Sequence, residues 1–298
     1  MYWHDLNTHL KQQYNCKVYK LSLSSGCSCP NRDGTLGNMG CSFCDGSGSY
    51  TATGSIPEQI ALAKSKVAAK VAPDGKYIAY FQSFTNTYGS SDRLYSLFQA
   101  ALLPDDIVAI SIATRPDCLG DDILTMLKKL NEQKPVWVEL GLQTIHASTA
   151  RLINRGYELA VFEEAMQKLK ALGITVIVHQ ILGLPGEDKD MMVATSSYIG
   201  ALRADGIKLH LLHVLKGTEL AHQWQLGLVP TLELDEYITI LEDCLRHIPR
   251  EMVIHRLTGD GDKKKLLAPL WSGNKKRVLN TIHAAFLRDN LEQGSLCK

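Results

Sequence analysis

The chain has no long uninterrupted run of apolar residues and no secretory leader. A membrane-spanning helix needs about 20 predominantly apolar residues in a row, and no stretch approaches that length. The first residues, MYWHDLNTHLKQQY, lack the basic region followed by an apolar run that a secretory signal requires. These absences argue against a membrane span and a secretory signal, so we expect a soluble cytoplasmic protein with no membrane partner.

The chain also lacks an excess of charge of one sign, internal sequence repeats and low-complexity tracts. The 298 residues include 32 lysines and arginines against 31 aspartates and glutamates. Global charge therefore gives no argument for nucleic-acid binding, and any such argument must rest on local clusters. Hydrophobic residues make up 45% of the chain, which is enough to form a sizeable core in one large domain or two medium ones.

Short apolar runs alternate with longer amphipathic runs, which predicts strands and helices in alternation. The strand-like runs are residues 18–23, 77–81, 107–113, 136–142, 174–182 and 207–214. They are continuously apolar, as strands covered on both faces tend to be. Six strand–helix units predict an α/β fold with a parallel sheet, and a partial (β/α)6 TIM-type barrel fits better than a closed eight-stranded one.

The pattern changes near residue 230. Residues 234–248 and 276–292 read as helices, and residues 252–255 read as a short extra strand. We therefore predict a core domain over residues 1–230 and a small C-terminal α/β extension over residues 231–298.

The most informative segment is CPNRDGTLGNMGCSFC, which carries Cys29, Cys41 and Cys44 soon after the first predicted strand. Cysteines in a reducing compartment favour metal or catalytic roles over disulfides. Three thiolates hold a metal centre and leave one position open for a second molecule. The alternative is a structural zinc site, for which Cys27 would supply the fourth ligand.

Further motifs follow in order along the chain, each at or near the end of a predicted strand. They are YFQSFTNT, TRPDC, ELGLQT, INRG, HQILGLPGE, KLHLLHVLKGTEL and LLAPLW. Together with SCPNRDG and GCSFC, they resemble the radical S-adenosylmethionine (SAM) enzymes of the YtqA-like subgroup. That subgroup is related to the radical SAM half of the Elp3 proteins. The resemblance covers the whole chain, more thinly over its last part.

The resemblance implies a [4Fe-4S] cluster held by Cys29, Cys41 and Cys44, with SAM on the remaining iron. Electron transfer from the reduced cluster then cleaves SAM and yields a 5′-deoxyadenosyl radical that abstracts hydrogen from a substrate. Cys27 competes with Cys29 on spacing alone. The family pattern places the ligand directly before Pro30, which favours Cys29.

The resemblance also points to residues that bind SAM along its length: Gln82, Ser83, Glu139, Gln143, Arg155 and Gly183. Radical SAM proteins bind the methionine amino group at the position of Gln82 and Ser83. A carboxylate at Glu139, near Gln143, suits a ribose hydroxyl pair because it accepts both hydrogen bonds. The alternative for Glu139 is a salt-bridged core carboxylate.

Two of these SAM contacts have structural alternatives as well. The guanidinium of Arg155 matches the geometry of the SAM carboxylate, although an exposed arginine at a helix end is the other interpretation. Gly183 allows close backbone approach to adenine, although an ordinary turn between strand and helix also needs glycine.

Two residues are candidates for direct roles in catalysis. Lys208 alternates with His210 along the sixth strand, so both side chains share one face and enter the barrel if that face points inward. Cys118, in TRPDC, lies at the predicted third strand end and is a candidate donor of a hydrogen atom or proton. A small packed residue is the alternative for Cys118.

The substrate expectation rests on the subgroup and on local charge. The basic clusters 263–265 and 275–277 lie near the aromatic Trp271, a combination that binds RNA, although a solvated surface is the plain alternative. The resemblance implies action on the tRNA wobble uridine, converting 5-carboxymethylaminomethyl-(2-thio)uridine to the 5-aminomethyl form.

The resemblance also implies partners: an electron donor such as a flavodoxin or ferredoxin, and a downstream tRNA methyltransferase. Unlike the Elp3 proteins, the chain leaves no room for an acetyltransferase domain, so we expect no acetyl-CoA chemistry. The competing functions are a radical SAM enzyme acting on another RNA or a small metabolite, and a non-catalytic RNA-binding module with zinc or a cluster.

Overall fold

The main element is a seven-stranded parallel sheet, curled into a half-barrel, whose first six strands follow chain order. The computed structural model describes residues 2–46, 52–72, 74–259 and 261–297. The sheet consists of β1 (Val18–Leu23), β2 (Lys76–Phe81), β3 (Ile107–Thr114), β4 (Val136–Gln143), β5 (Thr175–Leu182), β6 (Gly206–Leu211) and β8 (Val253–Arg256). A separate antiparallel pair contains β7 (Val214–Leu215) and β9 (Leu266–Ala268).

Helices connect these strands and cover the outside of the half-barrel. They are α1 (Leu6–Tyr14), α2 (Ile56–Val67), α3 (Ser91–Leu102), α4 (Asp121–Asn131), α5 (Ala147–Leu152), α6 (Leu159–Ala171), α7 (Lys189–Ala201), α8 (Glu219–Gln225), α9 (Leu234–Arg246) and α10 (Lys275–Arg288). The strands are buried almost throughout, because helices cover one face and the barrel interior lies on the other. All the carboxyl ends of a parallel sheet meet at one edge, called the barrel mouth below.

The six strands predicted from the apolar runs are confirmed, as is the α/β half-barrel with a C-terminal extension. The short strand predicted near residue 253 belongs to the barrel sheet itself, since β8 pairs in parallel with β6. The residues of this short strand did not indicate which strand it pairs with, because strand pairing depends on contacts between residues distant in sequence. The domain boundary at residue 230 stays a prediction.

The end of the barrel opposite the mouth is closed by α1, which sequence analysis did not predict. Asp5 caps this helix by accepting hydrogen bonds from the backbone N–H groups of Asn7 and Thr8. Leu10, the buried residue of the helix, packs against side chains near the starts of the strands, including Ile78 and Trp137. The barrel interior therefore opens at the mouth.

The C-terminal extension packs on the outside of the barrel. Helix α9 lies against α7 and α10, and Trp271 packs beside Tyr237 of α9. Trp271 also donates a hydrogen bond to the carbonyl of Leu232, whose side chain lies against Gly183 after β5. None of the helices in the described ranges combines the length and apolar character needed to cross a bilayer.

Candidate functional site

The cysteines lie on the cysteine loop (residues 24–46), which follows β1 at the barrel mouth. The loop is fastened by the INRG segment after α5. Asn31 donates from Nδ2 to the carbonyls of Asn154 (2.8 Å) and Arg155 (3.2 Å). In return, Asn154 donates to the carbonyl of Gly40 (2.7 Å), and the backbone N–H of Ser42 donates to the carbonyl of Ile153 (3.0 Å). These bonds position the segment that contains Cys41.

Arg32 crosses the inside of the same loop and requires glycine on both sides. Its Nη2 donates to the carbonyl of Cys44. A Cβ added at Gly40 would lie 2.7 Å from Arg32 Nε, and one at Gly46 would collide with the same guanidinium. The glycines of this loop therefore leave space for an arginine that ties its beginning to its end.

The three thiols of Cys29, Cys41 and Cys44 are close enough to influence one another. Burial raises the pKa of Cys41 to about 11, and the neighbouring charges of Cys44 and Cys29 contribute to the rise. The cation of Arg115 acts in the opposite direction. Without metal, Cys41 is therefore a protonated thiol, and metal binding at such a site releases the proton.

Arg115 supplies the positive charge beside this group. Burial lowers its pKa, but hydrogen bonds from Nε and Nη2 to Asp117 (2.9 and 2.7 Å) raise it, so the guanidinium remains charged. Its Nη1 donates to the carbonyl of Arg155 (2.9 Å). A fixed cation beside several thiolates offsets the negative charge that they bring to a metal centre.

Cys27 is separated from the other cysteines by its contacts. Its buried sulfur lies 3.1 Å from Arg93 Nη2 and 3.9 Å from the carbonyl of Asn86. It is not among the groups that shift the pKa of Cys41, whereas Cys44 and Cys29 are. The contacts thus favour Cys29 over Cys27 as the third ligand.

The donor set fits an iron–sulfur cluster better than a single ion. Within the parts of the chain that the structure describes, no three His, Cys, Asp or Glu side chains converge as ligands of one metal ion would. In a [4Fe-4S] cluster each thiolate binds a different iron, so its ligands need not converge on one point. The three neighbouring thiols, with Arg115 beside them, are compatible with that arrangement.

Four of the residues predicted to bind SAM lie around the same mouth. Gln82 follows β2 and donates to Ser22 Oγ (3.1 Å), and Ser83 beside it is buried. Gln143 ends β4 at a positive φ of 66°, where the strand register shifts, and its Oε1 accepts a hydrogen bond from the hydroxyl of Tyr157 (3.2 Å). Gly183 follows β5 at a φ of 87°.

The space at Gly183 is tight. A Cβ there would lie 3.0 Å from Leu232 in addition to the unfavourable φ, so the position favours glycine. The roles of Gln82, Ser83, Gln143 and Gly183 toward SAM stay predictions, and the structure brings all four to the same edge of the sheet.

Arg155 is only 2% exposed, and carbonyl oxygens surround its guanidinium. Nη1 donates to the carbonyls of Leu142 (3.0 Å) and Thr144 (2.7 Å), while Nε and Nη2 donate to that of Tyr157. The arginine therefore braces the end of β4 and the INRG segment. It is therefore not an exposed arginine at a helix end, and its pairing with the SAM carboxylate stays a prediction.

A second polar group lies deeper than the mouth, in the middle of the strands. This interior layer consists of Lys20, Tyr80, Ser111, Glu139, His179 and Lys208. Glu139 is at its centre and its side chain is fully buried. Its Oε1 accepts from Lys20 (2.7 Å) and Ser111 (2.8 Å), and its Oε2 is bonded by His179 (3.0 Å) and Lys208.

Glu139 is therefore a salt-bridged carboxylate of the barrel interior, one of the two interpretations open from sequence. Burial would raise its pKa, but Lys20, Lys208 and His179 hold that pKa well below its usual range. The carboxylate is ionised at neutral pH. The hydrogen bonds to its two oxygens come from Lys20, Ser111, His179 and Lys208. The contact of Glu139 with the ribose of SAM stays a prediction.

Lys208 points inward, as the alternation along β6 predicts. Its ammonium donates to the hydroxyl of Tyr80 (2.9 Å) as well as to Glu139. Burial lowers the pKa of Lys208 to about 7, against the opposing effect of Glu139, and Lys20 adds to the lowering. His210 lies one step nearer the mouth, its ring centroid 5.0 Å from that of His179.

Cys118 ends a 3₁₀ turn (Pro116–Cys118) after β3 and lies near the cysteine loop. Burial raises its pKa to about 12, and the charges of Asp117 and Cys29 contribute. The thiol is thus protonated at neutral pH, a form that can donate a hydrogen atom. Its catalytic role stays a prediction.

A basic segment of the extension reaches the mouth as well. The basic loop (residues 261–265) follows β8, and Lys265 Nζ forms an ion pair with Asp45 of the cysteine loop (2.8 Å). Lys263 and Lys264 beside it are exposed. The second basic cluster, residues 275–277, begins α10 just after Trp271.

Sequence analysis missed several residues that build this site: Lys20, Asn31, Arg115, Asn154 and His179. Lys20 carried a usable signal, since it alternates with Ser22 in an otherwise apolar strand and so marks an inward polar row. Asn31 also stood close to Cys29 in the motif. The partners of both residues are distant in sequence, which hid their roles.

Most of the chain matches the models of known protein families. Residues 34–199 match the model of the Radical SAM superfamily, and residues 204–288 match that of the Radical_SAM C-terminal domain. The chain is 45% identical to Uncharacterized protein YtqA of Bacillus subtilis over 284 residues, covering 94% of this chain and 88% of that protein.

The chain is more distantly similar to a tRNA uridine(34) acetyltransferase and to an Elp3 structure. It is 30% identical over 156 residues to the tRNA uridine(34) acetyltransferase of Methanocaldococcus jannaschii, covering 51% of this chain and 28% of that protein. The structure of Methanocaldococcus infernus Elp3 superposes with a TM-score of 0.72 at 18% identity, covering 93% of this chain. This chain spans 64% of that structure, and the likeness concerns the fold.

Proposed function

Because the chain belongs to the radical SAM superfamily, we propose that it is a tRNA-modifying member acting on the wobble uridine. The proposed reaction converts 5-carboxymethylaminomethyl-(2-thio)uridine to 5-aminomethyl-(2-thio)uridine. The cofactors of the superfamily are a [4Fe-4S] cluster and SAM. When bound and reduced, they would supply a 5′-deoxyadenosyl radical that abstracts hydrogen from the carbon next to the substrate amine. Return of one electron from the substrate to the cluster would leave a C=N bond, and its hydrolysis by water would break the link to nitrogen and release the carboxymethyl group as glyoxylate.

The chain's own residues have separate parts in this proposal. Cys29, Cys41 and Cys44 hold the cluster beside Arg115, whose charge is fixed by Asp117. The candidates for holding SAM are Gln82, Ser83, Gln143 and Gly183 at the mouth, Arg155 in the INRG segment and Glu139 in the interior layer.

The observation that carries the RNA assignment is the ion pair between Lys265 and Asp45. It ties a basic segment of the extension to the loop that bears Cys41 and Cys44. Exposed Lys263 and Lys264 thereby lie close to the mouth, where they can contact RNA phosphates while one base enters the barrel. The M. jannaschii relative is named as a tRNA uridine(34) acetyltransferase, which supports the same nucleoside.

The proposal extends to partners and location. All eight cysteines are free thiols, which suits a reducing cytoplasm. A flavodoxin or ferredoxin would reduce the cluster, and a tRNA methyltransferase would act on the aminomethyl product. Lys208 and Cys118 are the candidate catalytic residues, with Cys118 supplying a hydrogen atom or a proton.

The test uses reconstituted enzyme, SAM, a reductant and tRNA from a strain that lacks this protein. We expect the mass of the wobble nucleoside to fall by that of the carboxymethyl group, replaced by hydrogen. The Cys29→Ala protein is the matched control and should leave the mass unchanged. An unchanged nucleoside mass with an enzyme that cleaves SAM would reject the tRNA assignment and favour another RNA or a small metabolite.

The role of Cys118 has its own test. If it donates hydrogen to a substrate intermediate, Cys118→Ala should cleave SAM while yielding much less modified nucleoside. Normal turnover of the tRNA by this variant would eliminate Cys118 as the donor and leave the rest of the proposal intact.

A further inference from the structure

The interior layer contains more positive than negative charge. Lys20 and Lys208 share a single carboxylate, that of Glu139, and both ammonium groups are bonded to it directly. Burying an ammonium group without its own counter-charge is costly. Burial lowers the pKa of Lys208 to about 7, so a second anion beside it would raise that pKa and hold the side chain as an ammonium group.

The histidines around the two lysines do not reduce this imbalance. Burial and the charge of Lys208 lower the pKa of His179 to about 4, and burial with His179 and other neighbours holds that of His210 well below its usual range. Both imidazoles are therefore neutral. Each can donate one hydrogen bond, and neither brings negative charge.

One of these imidazoles has an unused nitrogen. Nε2 of His210 is buried and has no hydrogen-bond partner among the residues that the structure describes. A buried polar atom without a partner is destabilising, so its presence on the mouth side of the layer indicates a missing partner. Because the ring of His210 lies 5.0 Å from that of His179, this nitrogen belongs to the same group of side chains.

The layer is partly open. The side chains of Lys20 and His179 are 19% and 21% exposed, although Glu139 between them is fully buried. His210 follows Lys208 along β6 in the direction of the mouth. A group that enters from the mouth along β6 therefore meets His210 before it reaches Lys208.

We infer that Lys20, Lys208 and His210 form a subsite for a carboxylate group of the substrate. The inference rests on the proposed function and names the part of the nucleoside that enters deepest: the carboxymethyl group on the wobble base. A carboxylate accepts hydrogen bonds from two ammonium groups and an imidazole N–H at once, and it restores the charge balance.

The same chemistry has a second possible source, the methionine carboxylate of SAM. The experiment therefore compares two anticodon stem-loop RNAs that differ in one group. One carries 5-carboxymethylaminomethyluridine at the wobble position, and the other carries the neutral amide of the same side chain. Binding to the holoenzyme with SAM present is measured for each, so the result does not depend on turnover.

We expect the amide RNA to bind about 10- to 100-fold more weakly, because it loses charged hydrogen bonds. Lys20→Met should reduce this discrimination to about threefold or less, since one of the charged donors is gone. Lys17→Met is the matched control: this exposed lysine on the same segment lies over the ring of Tyr19, and its variant should discriminate as the wild type does. His210→Phe should weaken binding of the carboxylate RNA and leave that of the amide RNA nearly unchanged.

The outcomes separate this inference from the proposed function. Equal binding and equal turnover of the two RNAs would overturn the carboxylate subsite while confirming the tRNA reaction. Preferential binding of the carboxylate RNA without turnover would support the subsite and reject the reaction. If Lys20→Met weakens SAM binding and keeps the RNA discrimination, the layer serves SAM, and the inference is wrong.

Discussion

At the scale of single residues, contacts assign cysteines to roles that spacing leaves open. Cys27 and Cys29 are two residues apart, and either one completes a set with Cys41 and Cys44. The sulfur of Cys27 is occupied by Arg93, whereas the charge of Cys29 reaches Cys41. The two cysteines lie in a loop after β1 and not in a strand, so a spacing of two residues does not give them the same neighbours.

The first prediction follows from this difference. Cys27→Ala should retain about four iron atoms per chain after anaerobic reconstitution, whereas Cys29→Ala should lose most of them. Iron analysis and the visible absorption of the cluster measure both. Iron loss in Cys27→Ala at full yield of folded protein would move the ligand assignment to Cys27.

The second prediction concerns Glu139, whose carboxylate offsets the charge of two buried lysines. Glu139→Gln should lower the free energy of unfolding of the cluster-free protein at pH 6 by about 3–5 kcal/mol, because both ammonium groups lose their counter-charge. An exposed control, Glu164→Gln, removes only a surface pair with Lys168 and should cost at most about 0.5 kcal/mol.

This second prediction has a defined pH dependence. The folded pKa of Glu139 is depressed, so its contribution is complete above the unfolded pKa of about 4.3 and is lost as pH falls toward the folded pKa. The difference between wild type and variant in urea titrations should therefore begin to shrink as pH falls below about 4.3 and should vanish only near the folded pKa. A deficit that stays constant down to pH 3 would show that the side-chain charge is not its cause.

At the scale of elements, the site depends on the clamp between the cysteine loop and the INRG segment. Gly156 ends that segment at a φ of 83°, and a Cβ there would lie 2.7 Å from Asn31 Oδ1 and 3.3 Å from Arg115 Nη2. Asn31 fastens the loop to this segment, and Arg115 donates to the carbonyl of Arg155 in the same segment. The glycine allows the clamp to close.

The third prediction tests this clamp. Gly156→Ala should accelerate loss of the cluster to an iron chelator at least about tenfold, because Asn31 is displaced from its carbonyl acceptors. Gly173→Ala is the matched control: it has a similar φ of 67° but no atom within 4 Å of the added Cβ. It should cost about 1 kcal/mol of stability without affecting cluster loss. Equal rates in the two variants would mean that backbone strain alone sets cluster retention.

At the scale of the whole molecule, the extension brings positive charge to the mouth. The near-neutral composition of the chain does not predict this local charge. Net charge averages over 32 basic and 31 acidic residues, whereas RNA responds to the local field. The pairing of Lys265 with Asp45 places the basic loop beside the cysteine loop. In the proposed function, barrel and extension therefore contribute to the same RNA-binding surface.

The fourth prediction measures this surface through its salt dependence. Replacing Lys263 and Lys264 with alanine should reduce the slope of log K for tRNA against log salt by about 1.4–1.8, because two phosphate contacts disappear. The control pair, Lys128 and Lys129, is also exposed but ends α4 at the opposite edge of the barrel. Its replacement should leave the slope unchanged, and an equal effect of both pairs would indicate nonspecific attraction.

The sequence by itself determined the α/β half-barrel, its first six strands, the family and the three candidate ligand cysteines. These features are local: apolar runs, their spacing, and motifs in a fixed order. The tertiary structure decided where β8 pairs, that α1 closes the barrel, that Arg93 engages Cys27, and that Glu139 lies between Lys20 and Lys208. Each of these depends on residues from separate strands and loops meeting in space, which local pattern does not encode.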